Sequence, residues 1–186
     1  APIPIVAYST FAAVLARRAK ATDVVVSTMN DVRRRVGGIE ELVGFCQQAT
    51  LNRLDLSGPL SFRELVSRAR KEAFEQMALP AFRLVPFLFP SIHASDLYQI
   101  FFNYYGSDNE KATQCSGLEF EQLPWHEHLD LRPEINWTLY SWEARAHETR
   151  DGGLSYWIAC NADLWSQATV QGVADEFLHL LEGGAT

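Results

Sequence analysis

Cationic residues are the scarce class in this chain. Lys and Arg number 16 against 23 Asp and Glu, for a net charge of -7. A nucleic-acid binder needs clustered Lys and Arg to neutralise phosphates, so this balance argues against nucleic acid as a partner. The one basic cluster, Arg33-Arg34-Arg35, reads as a solvated loop. No apolar run reaches the ~20 residues of a membrane-spanning helix, and no signal peptide is visible, so no membrane is expected. Cysteine is also sparse: Cys46, Cys115 and Cys160 are odd in number and lack metal-ligand spacing. Reduced thiols in a cytoplasmic protein are the expectation. Glycine never forms a phosphate-cradling loop, and the strained nucleophile elbow G-x-S-x-G is missing.

What is present suffices for one buried core. Of the 186 residues, 47% are hydrophobic and 21% charged, which excludes disorder and fits one domain or one large lobe over residues 1–186. Residues 5–18 predict a helix that is apolar on most of its surface and therefore wants cover on more than one side. It begins almost at residue 1 without a methionine, so the chain is expected to be part of a longer one. Asp23-Val24-Val25-Val26-Ser27-Thr28 predicts a buried strand, and residues 48–56 another, closed by the turn Ser57-Gly58-Pro59. Ser61-Phe62-Arg63-Glu64 is a capping box opening a helix with Leu65, Val66, Ala69, Ala73 and Phe74 on one face, ended by Pro80. Residues 96–105 read as an aromatic strand and 106–117 as an exposed connection. Residues 137–145 and 154–161 alternate with period two around Arg150-Asp151-Gly152-Gly153, a hairpin signal. A last helix, started by Ser166 and ended near Gly183, aligns Val170, Val173, Ala174, Phe177, Leu178 and Leu181. The class is α/β, a mixed sheet with helices packed mainly on one face.

Candidate chemistry is thin. His126 and His128 flank Glu127 in a pattern that invites a metal, but Pro124 and the neighbouring charges favour a surface loop, and no third ligand is apparent. His93, His147 and His179 are isolated. Cys46 has neither a base beside it nor a cause for a lowered pKa, so it reads as a small buried hydrophobe. The residues alone supply no catalytic set.

Several runs in fixed order carry a resemblance. They are Leu42-Val43-Gly44-Phe45-Cys46-Gln47-Gln48-Ala49-Thr50-Leu51-Asn52-Arg53, then Gln76-Met77-Ala78-Leu79-Pro80-Ala81-Phe82-Arg83, then Cys160-Asn161-Ala162-Asp163-Leu164-Trp165. Between the first two, Leu54-Asp55-Leu56-Ser57-Gly58-Pro59-Leu60-Ser61-Phe62-Arg63-Glu64-Leu65 is similar to an R-x-D-L-S-G-D-P-S-F-R-E-L stretch. In this order they resemble the C-terminal lobe of a condensation domain from a nonribosomal peptide synthetase. That family's catalytic motif, H-H-x-x-x-D-G, belongs to the N-terminal lobe and is nowhere in this chain.

The resemblance implies a chloramphenicol acetyltransferase-like lobe that forms one wall of a tunnel. Carrier proteins would deliver phosphopantetheine arms into the tunnel, and no cofactor is expected on this chain itself. Implied partners are the missing N-terminal lobe, peptidyl and aminoacyl carrier proteins, and further copies of this chain through an exposed lobe face. Aromatic candidates for that face are residues 137–142, Tyr104 and Tyr105. The implied tunnel-facing residues are Ser27, Thr28, Arg33, Cys46, Gln48 and Thr50, with Gln48 and Thr50 turned away from the core helices and Cys46 on their side. Departures are evident, since the family's V-N-T reads Gln47-Gln48-Ala49 here and its H-Q-D-x-P-F-E reads Met77-Ala78-Leu79-Pro80-Ala81-Phe82-Arg83. They leave open a second role, a degenerate non-catalytic relative that docks a tailoring enzyme, as in the branch that recruits haem monooxygenases.

Overall fold

The computed structural model describes residues 1–34, 36–78, 91, 98–106, 140–149 and 152–184. Helix α1, Ile3–Ala19, starts among prolines, which cost nothing in a first turn that has no N–H partners to lose. It is apolar all round, and it is buried all round: Phe11, Ala12 and Val14 have no exposure. Ser9 and Thr10 are equally sealed, and their hydroxyls donate back to Val6 O at 3.0 and 2.8 Å. That local bond removes the cost of burying them.

The remaining elements are β1 (Asp23–Asp31), β2 (Gln47–Asp55), α2 (Phe62–Ala78), β3 (Ile100–Tyr105), β4 (Trp142–Glu148), β5 (Leu154–Cys160) and α3 (Gln167–Gly184). The strands form one mixed sheet in the order β2-β1-β3-β4-β5. The two edge pairs, β1 with β2 and β4 with β5, are antiparallel, while β3 lies parallel to both β1 and β4. Val24, Val26, Leu54, Phe102, Trp142, Ala144 and Ala146 share one core cluster with side chains from α1, α2 and α3. These residues have one strand parity, so the helices cover one face of the sheet, as the sequence predicts.

Local signals explain the element ends. The Ser61 hydroxyl accepts from Glu64 N at 3.3 Å, and the Glu64 carboxylate accepts from Ser61 N at 2.9 Å. This reciprocal box starts α2. Gly152, at φ 81°, makes the β4–β5 turn possible at no steric cost. At Gly172 the reason is proximity: a Cβ there would fall 2.8 Å from Arg18 Nη2. The bare position lets Arg18 lie across α3 and reach Glu176 at 2.8 Å, joining the first and last helices.

Several expectations shift. β1 runs on to Asp31 and β4 to Glu148. Phe74 and Leu178, expected on buried helix faces, are 52% and 41% exposed. Arg70, one turn before Phe74, stacks over its ring at 5.5 Å, which shields that ring without core burial. The sequence features at residues 79–90, 92–97 and 107–139, including Cys115, His93, His126 and His128, lie outside the described residues.

Three variants address these contacts. Phe11→Ala should cost about 3–5 kcal/mol, the range for deleting a sealed aromatic ring, read by urea denaturation; a loss below ~1 kcal/mol would mean α1 is not the core. Ser61→Ala should cost about 1 kcal/mol. The Ser61 hydroxyl, then its backbone N–H, holds the Glu64 carboxyl below the usual glutamate range. A depressed folded value means that this contribution is complete above the unfolded pKa of about 4.3 and fades as pH falls through the folded value. Glu64→Gln should therefore flatten the acid limb of the stability profile, and an unchanged limb would contradict the box.

Candidate site: a polar row beneath two helix ends

Along β1 and β2 the helix-facing residues change character. Register pairs Val24 with Leu54, Val26 with Asn52, Thr28 with Thr50 and Asn30 with Gln48. The first pair is apolar and lies in the core; the last two are wholly polar. Asn52 donates Nδ2–H to Val26 O at 3.3 Å and to Thr28 Oγ1 at 3.0 Å. The Thr28 and Thr50 hydroxyls share a hydrogen bond at 2.9 Å, and Asn30 Nδ2 donates to Thr50 Oγ1, also at 2.9 Å. The row satisfies most of its own polarity, and so it can sit where the parity of the apolar residues demands.

Above this row the helices part. The N-terminal turns of α1 and the C-terminal turns of α2 leave a cavity of about 260 Å³. Its walls are Pro4, Ile5 and Tyr8 from α1, Ala73 and Met77 from α2, and Thr28, Met29, Asn30, Asn52, Phe102, Asn103 and Tyr104 from the sheet. No carboxylate, Lys, Arg or His is among these lining residues. The titratable groups are Tyr8 and Tyr104. Burial first, then the Glu72 carboxylate, pushes Tyr8 far up; burial first, then Glu148, raises Tyr104. Both stay neutral phenols at physiological pH. Tyr8 is 3% exposed, and its hydroxyl has no hydrogen-bond partner among the described residues. This arrangement can hold and orient a group, but it contains no nucleophile–base pair.

The expected tunnel residues divide. Thr28, Gln48 and Thr50 are brought together, yet on the helix-covered face rather than away from the helices. The reason is register: they share the parity of Val24, Val26 and Leu54, which α1 and α2 cover, and mutual bonding removes the penalty that would have turned them out. Gln48 Oε1 is buried without a partner among the described residues. Ser27 points to the other face, has no exposure, and donates to Ile100 O at 2.7 Å, strapping β1 to β3. Arg33 lies in the short 3₁₀ turn Val32–Arg34, pairs with Asp31 at 3.0 Å and donates to Leu42 O at 3.3 Å. Cys46 precedes β2, is 8% exposed, and its carbonyl accepts from Val32 N at 2.9 Å. These last residues brace the loop.

Sequence reasoning missed Tyr8, Asn30 and Asn52. Asn is a poor strand former, so Asn30 and Asn52 alternating with threonines were the available signal. Nothing marked Tyr8 within its apolar helix. Of the aromatic face expected around residues 137–142, Tyr104 and Tyr105, residues 137–139 lie outside the described ones, Trp142 is core and Tyr104 faces the helices. Tyr105 stacks on His147 at 4.6 Å on the opposite face. Three exposed apolar side chains stand close together in sequence just before β2: Leu42, Val43 and Phe45, at 52%, 95% and 76%. Among the described residues no cluster of His, Cys, Asp or Glu could hold a metal, and no helix is long and apolar enough to cross a membrane.

Known proteins place this arrangement in context. No protein-family model matches the chain. It is 32% identical, over 77% of its length, to one of the linear gramicidin synthase subunits of Brevibacillus parabrevis, and 28% identical, over 94%, to a dimodular nonribosomal peptide synthase of Bacillus subtilis. It spans only 3% and 7% of those proteins. Among solved structures it is similar to the X-domain from teicoplanin biosynthesis (TM-score 0.76, 21% identity, 98% of this chain, 41% of that one). The same domain in its complex with OxyB gives a TM-score of 0.71 at 20% identity, over 98% of this chain and 40% of that one. The first condensation domain of the CDA synthetase gives 0.66 at 18% identity, over 97% and 39%.

The polar row predicts two opposite responses. Asn52→Ala should cost about 1–3 kcal/mol, because Val26 O and Thr28 Oγ1 lose a buried donor. Gln48→Leu should leave stability level or higher, since the carbonyl it removes is unpaired. Thermal melts of both variants check this, and a large loss in the Leu variant would assign Gln48 to the scaffold.

Proposed function

We propose that this chain, a member of the condensation-type domains of nonribosomal peptide synthetases, is the C-terminal half of such a domain. The observation that carries the reading is coverage: nearly the whole chain is similar to only about two-fifths of each solved domain. On this reading residues 1–186 are a single lobe in a cytoplasmic synthetase and form one wall of a tunnel. Phosphopantetheine arms of carrier proteins bring the donor acyl thioester and the acceptor amine into it. The amine nitrogen attacks the thioester carbonyl; the C–N bond forms, the C–S bond breaks, and the thiol leaves with a proton. The histidine that assists belongs to an N-terminal lobe. The contribution of this lobe is confinement and alignment, worth several kcal/mol when both reactants are tethered. Thr28, Gln48 and Thr50 contribute polar wall, while Ser27, Arg33 and Cys46 hold the strand ends and loop that border it.

A second reading, a non-condensing platform that docks a tailoring enzyme, is favoured by the likeness to an X-domain known in complex with OxyB. The parent sequence upstream distinguishes the two: an intact H-H-x-x-x-D-G supports condensation, and its loss supports docking. The exposed Leu42, Val43 and Phe45 would suit either an N-terminal lobe or self-association, because apolar patches are seldom left bare.

Loaded carrier proteins provide the test. The chain alone should give no amide product, and the chain joined to its N-terminal lobe should. Product from the isolated chain above a boiled control would overturn the reading. In the joined enzyme Gln48→Leu should change turnover or substrate preference while the melting temperature holds.

A further inference from the structure

The cavity at the end of the helix layer has a hydrogen-bonding pattern that specifies an occupant. Asn52, 3% exposed, commits Nδ2 to Val26 and Thr28, which leaves Oδ1 as an acceptor without a partner among the described residues. Asn30 commits Nδ2 to Thr50 in the same way, leaving its own Oδ1. Across the cavity stands Tyr8, whose buried hydroxyl has a proton to donate and nothing described to receive it. The Thr28–Thr50 pair shares one bond between two hydroxyls, so one further proton is available there. Acceptors on the strands and a donor on the helix are the complement of a secondary amide, which offers one N–H and one C=O on opposite sides.

The surroundings narrow the class further. Among the described residues no charged side chain lines the cavity, so an ionic ligand would lose its hydration without compensation from them. Ile5, Met77 and Phe102 supply apolar contact beside the polar row. The volume, about 260 Å³, lies just under the usual range of roughly 300–1,000 Å³ for small-molecule sites. We propose that this cavity is a binding site for a neutral, amide-bearing group with a short aliphatic flank, its N–H on Asn52 and Asn30 and its carbonyl toward Tyr8. The proposal needs neither carrier proteins nor a second lobe, so its failure and the failure of the condensation reading are separable.

The test uses the 186-residue chain with N-acetyl-L-alanine methylamide as probe, and N-acetyl-L-alanine, its carboxylate, as control. Side-chain amide resonances of Asn52 and Asn30 should shift on titration with the methylamide, with a Kd on the order of 1 mM, as expected for a fragment, and should stay still with the carboxylate. Tyr8→Phe should weaken binding about five-fold and should not lower the melting temperature, because the hydroxyl it removes is unpaired. Ala73→Leu fills the space from α2 with a good helix former and should abolish the shifts. Equal response to the carboxylate, unmoved asparagine resonances, or full binding by Ala73→Leu would overturn the proposal. So would destabilisation by Tyr8→Phe without a change in affinity, which is the behaviour of a hydroxyl satisfied by buried water.

Discussion

The described fold leans on the burial of α1. A helix with apolar residues on every side cannot rest on a sheet and face water; it must be enclosed. Here β1 and β4 lie below it and α2 and α3 pack against it. Phe11 and Tyr8 both reach Phe102 on the central strand β3, with ring centroids 6.1 Å apart in each case. Because α1 precedes β1 in sequence while α3 closes the chain, these contacts tie the two ends of the chain to the middle of the sheet. The Arg18–Glu176 pair across Gly172 adds register more than energy, as exposed ion pairs contribute little.

Enclosing one helix so fully also sets where the polar surface can go. The strands beneath α1 are apolar where its middle lies on them and polar where its first turn lifts away. The Thr28, Thr50, Asn30 and Asn52 network is therefore half core and half site. It is buried enough to be ordered and open enough to leave carbonyl oxygens uncommitted. A sheet end of this kind offers geometry without reactivity.

The opposite face has a different economy. Glu143, 4% exposed, is held by Arg145 at 2.6 Å, and the Arg145 guanidinium lies over Trp157 at 4.8 Å. Phe101 stacks on Tyr140 at 4.5 Å. Such contacts, Arg145–Trp157 across β4 and β5 among them, stabilise a sheet from the side without helices. Among the described residues both faces of the central strands are thus occupied, and Leu42, Val43 and Phe45 stand exposed before the edge strand β2.

The sequence by itself determined the element order, the α/β class and the helix-on-one-face layering. Those features follow from local signals: the Ser61–Glu64 box, the Gly152 turn, the run Val24-Val25-Val26, and the apolar surround of α1. It also carries a resemblance to condensation-type domains, because ordered motifs survive where single ones fade. The direction of the polar row was decided only by the tertiary structure. Alternation puts Gln48 and Thr50 on one side of β2, but which side depends on the strand paired with it and on the residues that share its parity. Thr28 and Asn30 lie on β1, 20 to 24 residues in sequence from their partners Thr50 and Asn52 on β2. Their mutual hydrogen bonds exist only once register is set, and those bonds make it inexpensive to turn polar side chains toward the helices. Tyr8 entered the site for the same reason, as a residue given a role by what the fold sets against it.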